Sequence, residues 1–342
     1  MRVIELVKNG PPEGAFKISE RALPAPGPDE VKIRVKAFGI NFADVLARLG
    51  FYPDTPPLPA ILGYEVVGHV TEVGANVKDL KRGDHVLAGT RFGGYADEIL
   101  TQSFAAVKIP DEMNDAEAVA LPVNGITAYH CLAEAVKIRK GDRVLVHAAA
   151  GGVGSIAVQL AKYLGAEVYG TCGSDDKIPV LKSLGVDYAI NYNKQDYVKE
   201  IRKLTKGKKL DVILDSLAGP NIPKEMRILR AGGRLVVFGV ASIMGARGKN
   251  ILKLLWIWFR AKRFMAFDLL KASKSVIGVN MLRLSEQRPE LMAEEMKELM
   301  ELYKKGVFKP LVKHTFKFDQ ISEAHKLLES RKSIGKIVVT TD

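Results

Sequence analysis

Lys140-Gly-Asp-Arg-Val-Leu-Val-His-Ala-Ala-Ala-Gly-Gly-Val-Gly-Ser155 is the stretch from which the fold can be read. Val144 to Val146 form a short apolar strand that runs into a glycine-rich turn. The turn runs into a helix-forming apolar segment, Ile156 to Leu164. That order suits a dinucleotide. Small residues let the backbone approach a pyrophosphate, and the free N–H groups of a helix start face its charge. Ala149-Ala150-Gly151-Gly152-Val153-Gly154 has alanine where the first glycine of G-x-G-x-x-G would stand. The strand before it and the helix after it supply the context that a bare glycine match lacks.

Outward from this stretch, the chain changes rhythm. From residue 142 strands and helices alternate: Arg143–Ala148, Glu167–Thr171, Asp187–Asn191, Leu210–Ser216 and Gly233–Gly239 read as strands, with helical segments between them. This pattern predicts a doubly wound parallel sheet. Residues 1–110 read instead as β-rich, with runs such as Val31–Lys36, Val66–Val73 and His85–Ala88 punctuated by proline and glycine. Residues 111–140 turn helical, over Asp115–Ala120 and Thr127–Val136. After a break at Ile243–Ala272, Ser275–Val279 reads as a last strand and Pro289–Tyr303 as a long amphipathic helix. The tail from Leu311 returns to strand, helix and strand, and is expected to rejoin the first domain. The predicted domains are 1–124, 125–305 and a C-terminal return over 306–342.

The composition excludes several classes. With 342 residues, 47% hydrophobic and 26% charged, the chain can bury two ordinary cores. Its net charge of +12 reads as lysines spread over a solvated surface, and no basic motif predicts nucleic-acid binding. The two cysteines, Cys131 and Cys172, cannot make a disulfide framework or a four-cysteine zinc site, which fits a reducing, cytoplasmic setting. The amino end enters a strand directly, without a signal-peptide pattern, and no apolar run approaches the ~20 residues of a membrane-spanning helix.

Several segments in this order carry a resemblance. They are Gly39-Ile-Asn-Phe-Ala-Asp44 with Gly50-Phe-Tyr-Pro53, Gly63-Tyr-Glu-Val-Val-Gly68, Gly93-Gly-Tyr-Ala-Asp-Glu98, Gly125-Ile-Thr-Ala-Tyr129, His147 to Gly154, and Asp211 to Gly219. Over essentially its whole length the chain resembles a medium-chain dehydrogenase/reductase of the zinc-free quinone-oxidoreductase branch. Val123-Asn-Gly-Ile-Thr-Ala-Tyr129 and the aromatic segment after Gly239 liken it most to the vesicle amine transport protein group. The resemblance implies an α/β fold: a GroES-like β-rich catalytic domain, completed by the tail, plus a Rossmann doubly wound parallel-sheet domain.

It also implies roles. Zinc in such a fold needs thiolate or imidazole ligands. Here the usual cysteine position is Asn41, the histidine of G-H-E is Tyr64, and no thiol stands near Asn124. Glu65 and Asp44 then read as structural, and no metal is expected. Asn41 and Tyr52 would face the substrate and Thr127 would lie near the nicotinamide. The cofactor would be held by Ala150, Gly151, Gly152, Val153, Gly154 and Gly239. No carboxylate closes the second strand, where NAD enzymes bind the ribose 2′-OH. Ser174, Lys177, Tyr192 and Arg331 instead stand where quinone reductases gather on a 2′-phosphate, which points to NADPH. Asp175 and Asp176 would oppose a phosphate if they turned towards it.

The expected function is metal-free hydride transfer from NADPH to a small hydrophobic electrophile, a quinone or an α,β-unsaturated carbonyl. Such acceptors are already electron-poor, so the protein need only align the rings and supply a donor to the developing oxyanion. A homodimer is expected from the resemblance. The segment 251–270 holds both tryptophans and four cations. Projected at 100° per residue the cations do not share one face, so a buried lid or wall is expected rather than a membrane-lying helix. The alternative is a membrane- or lipid-associated adaptor that keeps the NADPH-binding fold with little catalysis.

Overall fold

The computed structural model describes residues 1–242 and 266–341. Most of the aromatic segment, 251–265, falls outside the described residues. The chain divides into two units, one of Met1–Ile126, Leu282–Glu301 and Lys309 onward, the other of Thr127–Met281 and Leu302–Phe308.

The first unit is β-rich. Strand β1 (Arg2–Leu6) lies between β2 (Phe16–Glu20) and β4 (Ala60–Ile61) in a small antiparallel sheet. A larger sheet runs β15 (Val312–Lys317), β16 (Lys336–Thr340), β3 (Glu30–Ile40), β5 (Glu65–Val73), β6 (His85–Gly89) and β8 (Ala106–Lys108), and β7 (Glu98–Gln102) also pairs with β3. Strand β3 shows why the segment forms. Val31, Ile33, Val35 and Ala37 point inward while Lys32, Arg34 and Lys36 point out, the alternation of a half-buried strand. The tail completes this sheet, since β16 runs antiparallel to β3 with Ile337 opposite Ile40 and Val339 opposite Phe38. Phe38 stacks on Tyr95 at 4.9 Å and meets Phe318 edge-on at 6.1 Å, joining both ends of the chain in one core.

Two local features differ from the sequence-based expectation. A helix, Phe42–Arg48, interrupts the β-rich region directly after Asn41. Asp44 in its first turn accepts the Asn41 N–H at 2.7 Å, satisfying a donor that the helix start leaves over. The helical region 115–136 is also less regular than expected. An α-turn, Asp115–Ala118, gives way to wide turns at Leu121–Gly125 and His130–Glu134, on either side of Ile126–Tyr129. In both, N–H groups bond five residues back: Gly125 to Ala120 at 3.1 Å and Ala135 to His130 at 2.8 Å. Pro122, which lacks an N–H, is the second residue of the first of them.

The second unit is a parallel sheet of β9 (Arg143–Val146), β10 (Glu167–Cys172), β11 (Tyr188–Asn191), β12 (Leu210–Asp215), β13 (Leu229–Val237) and β14 (Ser275–Gly278). Its spatial order is β11-β10-β9-β12-β13-β14. Counted within the unit this is 3-2-1-4-5-6, the doubly wound order, and the strand order reverses between β9 and β12. Strand β12 is buried throughout, as a strand covered on both faces must be.

One buried ion pair ties the first unit together. Arg48, fully buried, reaches Glu329 at 2.7 Å from the end of the helix Ile321–Glu329. Removing one partner strands a buried charge. Arg48→Met is expected to lower the unfolding free energy by about 3–5 kcal/mol, and adding Glu329→Gln should recover much of it. Urea unfolding midpoints of the single and double variants check this.

Candidate active site

At the reversal point, β9 ends in His147 and the chain turns through Ala148, which takes a positive φ of 49°. Gly151 precedes the helix Gly152–Tyr163, so the N–H groups of Gly152, Val153 and Gly154 lie in its first turn with no carbonyl of their own helix to bond. Ala150 is buried beside them. A Cβ on Gly154 would stand 2.3 Å from the Ala148 carbonyl oxygen, so only glycine lets the turn close. Gly239, just past β13, lies against Ser216 at the end of β12. The Gly151 N–H is taken by the Ala148 carbonyl at 2.8 Å, so the free donors are those of Gly152, Val153 and Gly154, a group that suits a pyrophosphate.

Beneath the turn is a group that the sequence did not single out. His147 is buried, with Nδ1 3.0 Å from the Thr171 hydroxyl and Nε2 3.0 Å from the buried Glu225 carboxylate. Burial opposes the charged imidazole, but Glu225 outweighs it and His147 is held above its ordinary value. Asp215 at the end of β12 accepts the N–H groups of Leu217 and Ala218, at 2.6 and 2.9 Å. Burial, with Glu225 beside it, pushes its carboxyl up to about 7. His147 and Asp215 thus stand at the ends of the two strands that flank the reversal point, so this polar core underlies both loops there.

Ser174 and Lys177 follow β10, and Tyr192 follows the neighbouring strand β11. Ser174 starts the short helix Asp175–Lys177, and the Tyr192 N–H bonds the Cys172 carbonyl at 3.0 Å. The Tyr192 hydroxyl stands over Gly173. Lys177 is buried, and burial holds its ammonium below the ordinary lysine value. Asp175 turns to Lys194, at 2.5 Å, and to Asn191, at 2.6 Å, so its carboxylate is already engaged. Arg331 belongs to the first unit, exposed, at a positive φ of 61° just after the helix Ile321–Glu329.

In the first unit, Asn41 is the centre of a buried cluster. Its Nδ2 donates to Glu65 Oε1 at 2.7 Å. Its Oδ1 accepts from Lys336 Nζ at 2.7 Å and from Asn124 Nδ2 at 3.3 Å. Lys336 also bonds Glu65 Oε1, and the Val123 N–H reaches Glu65 Oε2 at 2.9 Å. The wide turn Leu121–Gly125 delivers both Val123 and Asn124 to the cluster. Gly39 makes room for it, since a Cβ there would meet Glu65 and Lys336 at 2.3 and 2.4 Å. Sequence reasoning missed Lys336. The one signal available was a lysine opening the apolar run Ile337-Val-Val339.

The donor set around Asn41 does not suit a metal. A lysine ammonium already sits on Glu65, and Asn41, Tyr64 and Asn124 offer neither thiolate nor imidazole. Among the described residues, no group of three or more His, Cys, Asp or Glu is placed to hold a metal ion. His85 bonds Asp115 at 2.8 Å and His69 stacks on His85 at 4.8 Å, both in packing roles.

Tyr64 meets Tyr52 edge-on at 6.3 Å and Phe92 at 4.9 Å. Burial raises both phenols, and the Asp44 and Asp54 carboxyls add to it for both. Tyr52 is half-buried and therefore keeps its proton at neutral pH. Asp54 and Arg283, an ion pair, lie in its electrostatic surroundings. Thr127 is buried in the short helix Ile126–Tyr129 of the second unit.

The β-rich first unit and the doubly wound second unit define a two-unit chain with a fold of the dinucleotide-binding type. Residues 27–111 match the alcohol dehydrogenase GroES-like domain and residues 152–303 the zinc-binding dehydrogenase domain. The human synaptic vesicle membrane protein VAT-1 homolog is 37% identical over 319 residues, 93% of this chain and 80% of that protein. The Escherichia coli quinone oxidoreductase solved with NADPH is 32% identical, with TM-score 0.86 and full coverage of both chains. The CurK enoyl reductase is 30% identical, with TM-score 0.85, covering 100% of this chain and 99% of that one. The chain belongs to the medium-chain dehydrogenase/reductase superfamily, a superfamily of oxidoreductases.

Asp44 gives this site a pH signature. It is fully buried, accepting the Asn41 and Gly63 N–H groups at 2.7 and 3.2 Å, and burial raises its carboxyl to about 7. A folded-state value above the unfolded one means the native state binds more protons between about pH 4 and 7, so this group's contribution to stability falls as pH rises through that interval. Asp44→Asn removes the titration while leaving one N–H poorly matched, a constant cost of about 1–3 kcal/mol. The stability advantage of the wild type over Asp44→Asn is therefore expected to shrink between pH 5 and pH 8, as read by urea unfolding at each pH. An advantage independent of pH would contradict the assignment.

Proposed function

We propose that this chain is an NADPH-dependent reductase of quinones or α,β-unsaturated carbonyls that works without a metal. The observation that carries the reading is the buried Lys336–Glu65–Asn41 cluster, in which an ammonium sits on the carboxylate and Asn41 offers neither thiolate nor imidazole. Support also comes from the quinone oxidoreductase solved with NADPH and from the enoyl reductase, both similar over the full chain.

NADPH, when bound, supplies the hydride. The proposed roles of the chain's own residues are as follows. The cradle Ala150 to Gly154, with Gly239 on the adjoining loop, binds the pyrophosphate and nicotinamide half. Ser174, Lys177 and Tyr192, with Arg331, select the 2′-phosphate. A dianion beside Lys177 would offset the burial that disfavours its charge. Asn41 donates to the oxygen on which charge develops, and the Tyr52 hydroxyl supplies a proton to it. Thr127 steadies the nicotinamide. We also propose a homodimer. It is supported by the edge of strand β14, which among the described residues pairs only with β13. A reducing, cytoplasmic setting is supported by Cys131 and Cys172, both buried and not joined in a disulfide. No helix among the described residues is long and apolar enough to cross a membrane.

A second reading, an adaptor at membranes or lipids, is favoured by one observation: relatives at 37% identity are named for synaptic vesicle membranes. Steady-state assays with a panel of quinones and enones separate the two. The enzyme reading expects NADPH oxidation that is indifferent to a chelator. NADPH binding without turnover on any acceptor, together with sedimentation on acidic liposomes, would favour the adaptor.

Lys177→Ala is expected to raise KM for NADPH at least about tenfold while leaving KM for NADH nearly unchanged, the loss of a charge-assisted contact to the phosphate. Equal effects on both cofactors would remove Lys177 from that role.

A further inference from the structure

A neutral carboxamide carries two donors on its nitrogen and an acceptor oxygen, and rotating it by half a turn exchanges them. At Asn41 the surroundings decide between the two orientations. The oxygen faces two donors, Lys336 Nζ at 2.7 Å and Asn124 Nδ2 at 3.3 Å. The nitrogen faces an acceptor, Glu65 Oε1, at 2.7 Å. The reverse orientation would set an NH2 group against an ammonium and a carbonyl against a carboxylate. Glu65 is itself fixed, by Lys336 on one oxygen and the Val123 N–H on the other. One N–H of Asn41 has no partner within the cluster.

A buried lysine–glutamate pair seldom raises stability over an apolar pair of the same volume, because two charges must leave water. Lys336 and Glu65 are 2% and 0% exposed, so the cost is incurred in full. Gly39, where any side chain would collide with both, shows that the fold is shaped around them. Fixing the orientation of the one polar side chain between them is a function that an apolar pair could not serve.

We propose that Lys336 and Glu65 are positioning residues that hold Asn41 as an obligate hydrogen-bond donor, its remaining N–H offered to a carbonyl oxygen of the substrate. This rests on the reductase reading above and narrows it. The acceptor must carry an oxygen conjugated to the carbon that receives hydride, so that the electron pair displaced by hydride addition moves onto that oxygen. A substrate that could only donate hydrogen bonds at this point would find no partner.

The test joins kinetics to side-chain amide NMR. Asn41→Asp is nearly isosteric and replaces the donor with an acceptor. Its kcat is expected to fall about 10²–10³-fold, as for loss of one oxyanion donor, with the dissociation constant for NADPH unchanged. Lys336→Met alone leaves Glu65 uncompensated and can fail to fold, so the informative variant is Lys336→Met/Glu65→Gln. There kcat is expected to fall at least about tenfold with KM for the acceptor within about threefold, the split expected for a contact made mainly in the transition state. The Asn41 side-chain amide signals, assigned by their loss in Asn41→Asp, should show one proton protected from exchange in the wild type. That protection should vanish in the double variant. Wild-type kcat in Asn41→Asp, or equal protection in wild type and double variant, would overturn the proposal. If the double variant does not fold, the wild-type spectrum decides, since two equally exchanging protons would refute a locked amide. If the wild type reduces no acceptor, the reductase reading fails, while the amide spectra still decide whether Asn41 is locked.

Discussion

A buried ammonium on a buried carboxylate, Lys336 on Glu65, is the interaction around which the first unit is arranged. Two charges out of water are tolerable when hydrogen bonds satisfy their own remaining lone pairs and protons. That requirement draws in Asn41, Asn124 and the Val123 N–H, and it explains otherwise odd local features. The wide turn Leu121–Gly125 brings two residues in succession to the cluster, which a regular helix would carry around its axis. Gly39 leaves the space. Strand β16, the last of the chain, must pair with β3 for Lys336 to arrive at all.

The second unit solves a different problem with different means. At its strand-order reversal it presents the backbone N–H groups of Gly152, Val153 and Gly154 at a helix start. The reversal of strand order between β9 and β12 leaves room for the turn after His147 and for the loop after Asp215. Below both lies a polar core of His147, Glu225 and Asp215, whose charges are balanced against burial rather than against solvent. The loops are thus held from beneath by hydrogen bonds, and their upper surfaces keep their donors.

Much of the fold was legible because its signals are local. The run Arg143 to Gly154 states strand, turn and helix in sequence order, and alternation in β3 states an inner and an outer face. The irregular helical region was not legible. The first of its wide turns contains Pro122 and sets the Val123 N–H on Glu65, a partner 58 residues away. The candidate site was legible at Asn41, Tyr64 and the glycine cradle, where residue type at a motif position carries the meaning. Asp175 could be judged only once its carboxylate was seen on Lys194 and Asn191.

The sequence by itself determined the two architectures, the glycine-rich turn and the residue types at Asn41 and Tyr64. Each of these is written within a few residues, by periodicity or by motif. Only the tertiary structure decided what surrounds Asn41. Lys336 is one of 51 lysines and arginines and lies 295 residues from Asn41, so nothing local distinguishes it. Its role comes from burial and charge pairing, which exist only after β16 has joined the sheet and closed water out.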